Sequence, residues 1–146
     1  MKRVEFIIDG KPEPKGRPRF CSINGRTRSY SPGKTVAYEG KVASAASVAM
    51  MAAGAQTFSG AVLLQIGIHL PIPASWSKKR RGRALVGEIA ATNKPDADNV
   101  LKAIKDGMNG VVYEDDSQVV EIRLHKRYSD TPCVTVLAIE TELEPA

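Results

Sequence analysis

The run Lys94-Pro95-Asp96-Ala97-Asp98-Asn99 is followed by Lys102 and, further on, by Asp115-Asp116. Carboxylate oxygens are the usual protein ligands of Mg²⁺, which keeps several waters and bridges carboxylates to substrate phosphates. Ionised carboxylates gathered in one place repel each other, so a cation is their natural neutraliser. Pro95 disfavours a helical Lys94, and Asp96 and Asp98, two apart in extended chain, can project to one side. Asp98 is expected to cap a helix running from Asn99 to about Asn109, where the N-terminal dipole favours negative charge. Lys102 lies one turn further along the same face. The connection after that helix can return Asp115 or Asp116 towards Asp96 and Asp98. Such a group would seat a hard cation against a phosphodiester and activate water, with Lys102 meeting the developing negative charge.

Each residue also has an ordinary role: Asp98 as a helix cap, Asp96 as a loop charge, Asp115-Asp116 as a solvated turn, Lys102 as a partner of Asp98 or Asp106. The functional reading draws its weight from their company. The 146 residues carry a net charge of +5, a balance that favours phosphate partners. Lys11, Lys15, Arg17, Arg19, Arg26 and Arg28 crowd the N-terminal region, and Lys78, Lys79, Arg80, Arg81 and Arg83 form a second cluster. Either set can grip a nucleic-acid backbone without reading sequence; the plain alternatives are a charged, solvated loop for the second and edge-strand protection for Arg17, Arg19, Arg26 and Arg28. Trp76, beside the second cluster, can stack on an exposed base or anchor a core. Glu140, Glu142 and Glu144 make the C-terminal end acidic instead.

Other chemistry is poorly supported. Cys21 and Cys133 are far apart and lack the spacing of a zinc site or disulfide framework. His69 and His125 are isolated, Ser47 and Cys133 lack the partners of a nucleophile, and no nucleotide-binding glycine loop occurs. The N-terminal residues lack the apolar run of a signal peptide, and the Ala43–Ala55 stretch is too short to span a bilayer. The expectation is a cytoplasmic protein without membrane or nucleotide cofactor.

The length suits one domain of about 100–150 residues with a real core. Val4–Ile8 reads as a strand, and Asn24-Gly25 marks a hairpin between Arg19–Ile23 and Arg26–Tyr30. Thr35–Ala53 has helical spacing through Val36, Val42, Ala46, Met50 and Ala53, with Gly54 as stop. Ala61–Leu70 is the best central strand, closed by Pro71 and Pro73. Residues 74–93 read as a basic, largely mobile loop with a short helix near Arg80–Val86. Val111–Tyr113 is expected to be extended. Val119–Tyr128 alternates, and Cys133–Ile139 is expected to return as its antiparallel partner. These make an α+β domain with a mixed sheet of about six strands and two main helices.

The blocks Lys94–Lys102, Asp106-Gly107-Met108-Asn109-Gly110-Val111 and Asp115-Asp116-Ser117-Gln118-Val119 resemble the RusA family of Holliday junction resolvases, of phage and prophage type. Pro14–Phe20 and Ser75–Arg80 are similar to segments of its phage-type members. The resemblance implies an α+β homodimer that hydrolyses DNA at four-way junctions during recombination and repair. It implies Mg²⁺, with Mn²⁺ as a substitute, held by Asp96, Asp98 and Asp116, and Lys102 as the lysine needed for cleavage. Lys15, Arg17, Arg19, Lys78, Lys79, Arg80, Arg81 and Lys94 are the expected DNA contacts. The helix of this family more often carries Ala where this chain has Gly107, a departure that touches no expected ligand. Two other readings share the same features: a branched-DNA-binding module that does not cut, and a metal-dependent nuclease of flaps or single strands.

Overall fold

A computed structural model describes residues 2–30 and 32–146. It is an α+β domain built on a four-stranded mixed sheet in the order β1-β6-β4-β5, with a separate two-stranded ribbon β2-β3. The strands are β1 (Lys2–Asp9), β2 (Arg19–Ile23), β3 (Arg26–Tyr30), β4 (Val62–Pro71), β5 (Val119–Ser129) and β6 (Cys133–Glu140). The helices are α1 (Gly33–Ala52), α2 (Lys78–Leu85) and α3 (Ala97–Met108).

Alternation along each strand gives the sheet two unlike faces. Across the sheet, one face carries the rows Ile8–Val134–Ile68–Lys126, Phe6–Val136–Ile66–Leu124 and Val4–Ala138–Leu64–Ile122. Most of these side chains are buried under the helices and form the core with Val42, Ala46, Val100, Ile104 and Met108. Burial of each large aliphatic side chain contributes about 1.5–3 kcal/mol. Among the described residues, no helix covers the opposite face. It has a hollow of about 670 Å³, lined in part by Ile7, Gln65, Thr135, Leu137 and His125. Gly67 shapes this hollow, since a Cβ there would fall 2.6 Å from Thr135 Oγ1 and 2.9 Å from His125 Nε2.

The expected pairing of β6 with β5 is not observed. Among the described residues, β5 pairs only with β4, in parallel, while β6 lies between β1 and β4 and is antiparallel to both. The Ser129–Pro132 turn does send the chain back, but β4 takes the place between them. Six of the ten β4 residues are buried and one is exposed, so it gains most from neighbours on both sides; β5 is mostly exposed and takes the edge. The Asn24-Gly25 hairpin forms as expected, with both residues at positive φ, yet it stands outside the main sheet.

In α1 the buried stripe is Thr35, Tyr38, Val42, Ala46 and Met50, while Val36 is exposed. Gly54, at φ +62°, ends the helix. The basic stretch holds α2, starting two residues earlier than expected, with Ser77 Oγ accepting the Arg80 N–H. It is docked on β5: Ala84 and Ala91 are buried, and the Trp76 ring meets Tyr128 edge-on at 5.2 Å. Residues 111–113 form a turn rather than a strand, with Val112 and Tyr113 buried and the Gly110 N–H bonded to the Tyr113 carbonyl.

Candidate nuclease site

α3 begins at Ala97, earlier than the sequence suggested, and Asp96 rather than Asp98 occupies the cap position. Pro95 excludes the preceding residue from the helix but leaves Asp96 extended, at ψ 139°, directly before the first turn. The Asp96 carboxylate makes no capping bond, so it stays free for another partner. Asp98 lies in the first turn, and Lys102 one turn on; all three are exposed.

Several contacts fix this end of the helix. The Lys126 ammonium, on β5, donates to the backbone carbonyls of Asn93 (2.8 Å) and Pro95 (3.1 Å). It thereby ties the segment leading into Asp96 to the sheet. On the other side, residues 11–18 cross between α1 and α3. The Lys15 N–H donates to the Asn99 carbonyl (2.9 Å), and the Gly16 N–H to Thr35 Oγ1 (2.8 Å). The Lys15 ammonium bridges Glu39 of α1 and Asp106 of α3, at 2.6 Å from each. Partial burial pulls its pKa down, but the bonds and charges of Asp106 and Glu39 outweigh this and raise it above the ordinary value. Lys15 thus clamps two helices, and its charge is met within the fold. Lys11 and Arg17 are the exposed cations of that segment, and the exposed Arg19 follows it at the start of β2.

Between these parts lies a hollow of about 350 Å³, bordered by Lys11, Lys34, Lys94, Glu13, Asp96 and Asn99. Lys34 reaches Glu13 at 3.5 Å. Sequence reasoning singled out Lys94 here but missed Lys34 and did not join Lys11 to the site. Nothing local marks them, because the hollow is formed by segments far apart in the chain.

The second acidic pair divides cleanly. Asp115 Oδ2 accepts the Ser117 N–H (3.1 Å) in a capping box completed by Gln118. The bonds from Ser117 lower the Asp115 pKa. Gln118 Oε1 accepts the N–H groups of Glu114 (2.9 Å) and Asp115 (3.0 Å), while its Nε2 donates to the carbonyls of Phe58 (2.8 Å) and Gly60 (3.0 Å). This side chain fastens the acidic turn to the segment before β4. Asp116 starts the 3-10 turn Asp116–Gln118, which packs on α3, and it is half-buried. The nearby Tyr113 hydroxyl donates to the Lys105 carbonyl (2.9 Å). Burial raises its pKa, as do the charges of Asp116, Asp106 and Asp115.

Among the described residues, Asp96, Asp98, Asp116 and Lys102 enter no ion pair or side-chain hydrogen bond, whereas Asp106 and Asp115 are committed. The donor chemistry therefore fits a hard cation. The described residues nevertheless contain no group of three or more His, Cys, Asp or Glu side chains placed to hold one metal ion. Asp96, Asp98 and Lys102 share one end of α3, and Asp116 arrives separately on the turn packed against that helix. Mg²⁺ is commonly held by one or two carboxylates, its waters and the substrate phosphate, so a three-carboxylate cage is not required.

The remaining cations flank this region. On α2, Lys78, Lys79 and Arg80 are exposed and Arg81 is half-buried. Arg80 lies 4.2 Å above the Trp76 ring, an arrangement that holds the indole as an anchor of α2. Trp76 is thus engaged by both Arg80 and Tyr128. Tyr128 beneath α2 and Lys126 beneath the Asp96 segment are two residues apart on β5, about 7 Å along a strand. His69 and His125 pack edge-on at 5.8 Å on the uncovered sheet face, apart from the carboxylates.

Together these features define a basic α+β protein with uncommitted carboxylates and a lysine displayed at a helix start beside a lysine-lined hollow. Sequence comparison specifies the class further: the RusA family, described as "Endodeoxyribonuclease RusA", matches residues 9–139. A Bacillus subtilis (strain 168) chain named "Uncharacterized protein YqaN" is 35% identical over 142 residues, covering 96% of this chain and 98% of that one. This chain belongs to the RusA family, and so to the endodeoxyribonucleases. Among the described residues no helix is long and apolar enough to cross a membrane.

Proposed function

We infer that the protein is a Mg²⁺-dependent endonuclease that resolves four-way DNA junctions by paired phosphodiester hydrolysis, in recombination and repair within a bacterial or phage-infected cytoplasm. The observation carrying this reading is the sorting of acidic groups. Among the described residues, Asp106 and Asp115 are committed to Lys15 and to a cap, while Asp96, Asp98 and Asp116 are left unpaired, as is Lys102 one turn along α3 from Asp98. Leaving carboxylates without partners contributes nothing to folding, which suits ligands reserved for a cation.

Asp96, Asp98 and Asp116 are assigned to hold Mg²⁺, or Mn²⁺ in its place, and the ion supplies Lewis acidity at the phosphate when bound. Lys102 offsets the charge that builds on the phosphate oxygens as water attacks. Lys94, Lys11 and Lys34, around the hollow next to Asp96, receive the adjacent backbone phosphate. Arg17, Arg19, Lys78, Lys79, Arg80 and Arg81 extend the grip along the DNA, and Lys15 holds the segment that presents Arg17 and Arg19. Symmetric nicking of two strands calls for paired sites in a two-fold homodimer. The helix-free sheet face, with exposed Ile7 beside Leu137, supports such pairing.

The test is cleavage of four-way junction, flap and plain duplex DNA at matched salt, with Mg²⁺, Mn²⁺ or chelator. Junction-selective, divalent-dependent nicking is the expected outcome. Preferential cutting of flaps or single strands would replace the junction assignment, and binding without any cutting would overturn the catalytic one.

A further inference from the structure

The β2-β3 ribbon is set apart from the body. Among the described residues it pairs only with itself, and an isolated two-stranded hairpin is marginal in water. Its register places Arg19, Cys21, Ile23, Arg26 and Arg28 on one face. The other face presents Phe20 with Ser22, Thr27 and Ser29. Phe20 is 69% exposed, although a phenyl ring gains free energy from burial. Small hydroxyl side chains surround it, so its own face of the ribbon offers no core in which to bury.

A cationic face backed by one protruding ring matches a branch point in DNA. Arginines on one side meet backbone phosphate, and the ring on the other has a base to stack on. A continuous duplex offers such a surface only after its bases are unstacked, at a cost of a few kcal/mol per step. At a four-way junction the base pairs flanking the crossover are more easily opened. We propose that the β2-β3 ribbon enters the centre of a four-way junction, with Phe20 stacking on a base at the crossover while Arg19, Arg26 and Arg28 bind the strand behind it. This assignment rests on the junction reading above and adds the element that distinguishes junction from duplex.

The experiment compares parent, Phe20→Ala, Phe20→Trp and Arg26→Ala/Arg28→Ala proteins. It measures affinity for a four-way junction and for duplex of the same sequences without divalent metal, with 2-aminopurine at the crossover. Base–aromatic stacking corresponds to an affinity change on the order of tenfold or more. Phe20→Ala should lose about that much on the junction only, together with the 2-aminopurine signal, and Phe20→Trp should keep both. The arginine variant should weaken both substrates and flatten the salt dependence. The ribbon lies outside the core, so the thermal midpoint of each variant should equal the parent's. Equal affinity and equal signal in parent and Phe20→Ala, or equal losses on junction and duplex, would overturn the assignment. Failure of the junction reading shows differently, as a parent protein that neither prefers nor cuts junctions.

Discussion

Gly107 tests how closely α3 must approach α1. In an isolated helix, replacing Gly with Ala gains about 1 kcal/mol, so sequence alone expects Gly107→Ala to stabilise. The packing gives the opposite sign. A Cβ at residue 107 would lie 2.6 Å from Val42 Cβ, 2.7 Å from Val42 Cγ1 and 3.0 Å from the Glu39 carbonyl oxygen. Unbonded carbons rest at about 3.5–4.0 Å, so the overlap with Val42 is about 1 Å. Val42 is fully buried and branched at Cβ, so it has little room to yield. Overpacking of this kind costs about 1–3 kcal/mol, and contact with backbone as well as side chain argues for the upper part of that range. After the propensity gain is subtracted, the net destabilisation is about 1–2 kcal/mol. Urea unfolding of parent and Gly107→Ala should give a lower midpoint at unchanged slope. A variant as stable as the parent, or more so, would show that the helices part freely and that this close contact does not position α3.

Three further outcomes follow from named contacts. Lys126→Met removes the two bonds to the Asn93 and Pro95 carbonyls, so unfolding should be easier by about 1–3 kcal/mol. Its cleavage rate should fall much more than its DNA affinity; an equal loss of both would make Lys126 a DNA contact. Gln118→Leu unties the acidic turn from Phe58 and Gly60 and should depress cleavage with junction binding retained, whereas full cleavage would show that the turn needs no tether. His125 is held below its usual pKa of 6.5 by burial and by the charges of Arg127 and His69. The unfolded chain therefore binds this proton first, and the stability contribution present above about pH 6.5 is lost as pH falls towards the folded value. Thermal midpoints measured between about pH 7 and pH 5 should drop less in His125→Gln than in the parent; identical slopes would contradict this.

What could be read from the chain was local. The Asn24-Gly25 turn, the α3 face bearing Asp98 and Lys102, and the alternation of β4 and β5 are set by neighbouring residues. The place of β6 was not, because strand order depends on competition among distant segments for the best-buried neighbour, and β4 won it. The double pairing of Lys15 with Glu39 and Asp106 spans 24 and 91 residues, beyond any local pattern. Two missed contacts did leave a trace. Lys126 falls in phase with Leu124 and Tyr128 on the apolar side of β5, where an ammonium must find polar partners. Asp115-Ser117-Gln118 carries the capping-box spacing that assigns Asp115 to a cap and leaves Asp116 outside it.

The assignment of the uncommitted carboxylates is tested most directly by Mg²⁺-dependent nicking of a four-way junction, with parent, Asp96→Asn and Asp116→Asn run side by side and junction binding measured on the same preparations. The parent should nick strands in symmetric pairs, while both variants bind the junction at least as tightly and leave it uncut. Product from Asp116→Asn equal to the parent's would remove Asp116 from the ligand set. Equal product from Asp96→Asn as well would mean that the acidic start of α3 is not where the chemistry happens.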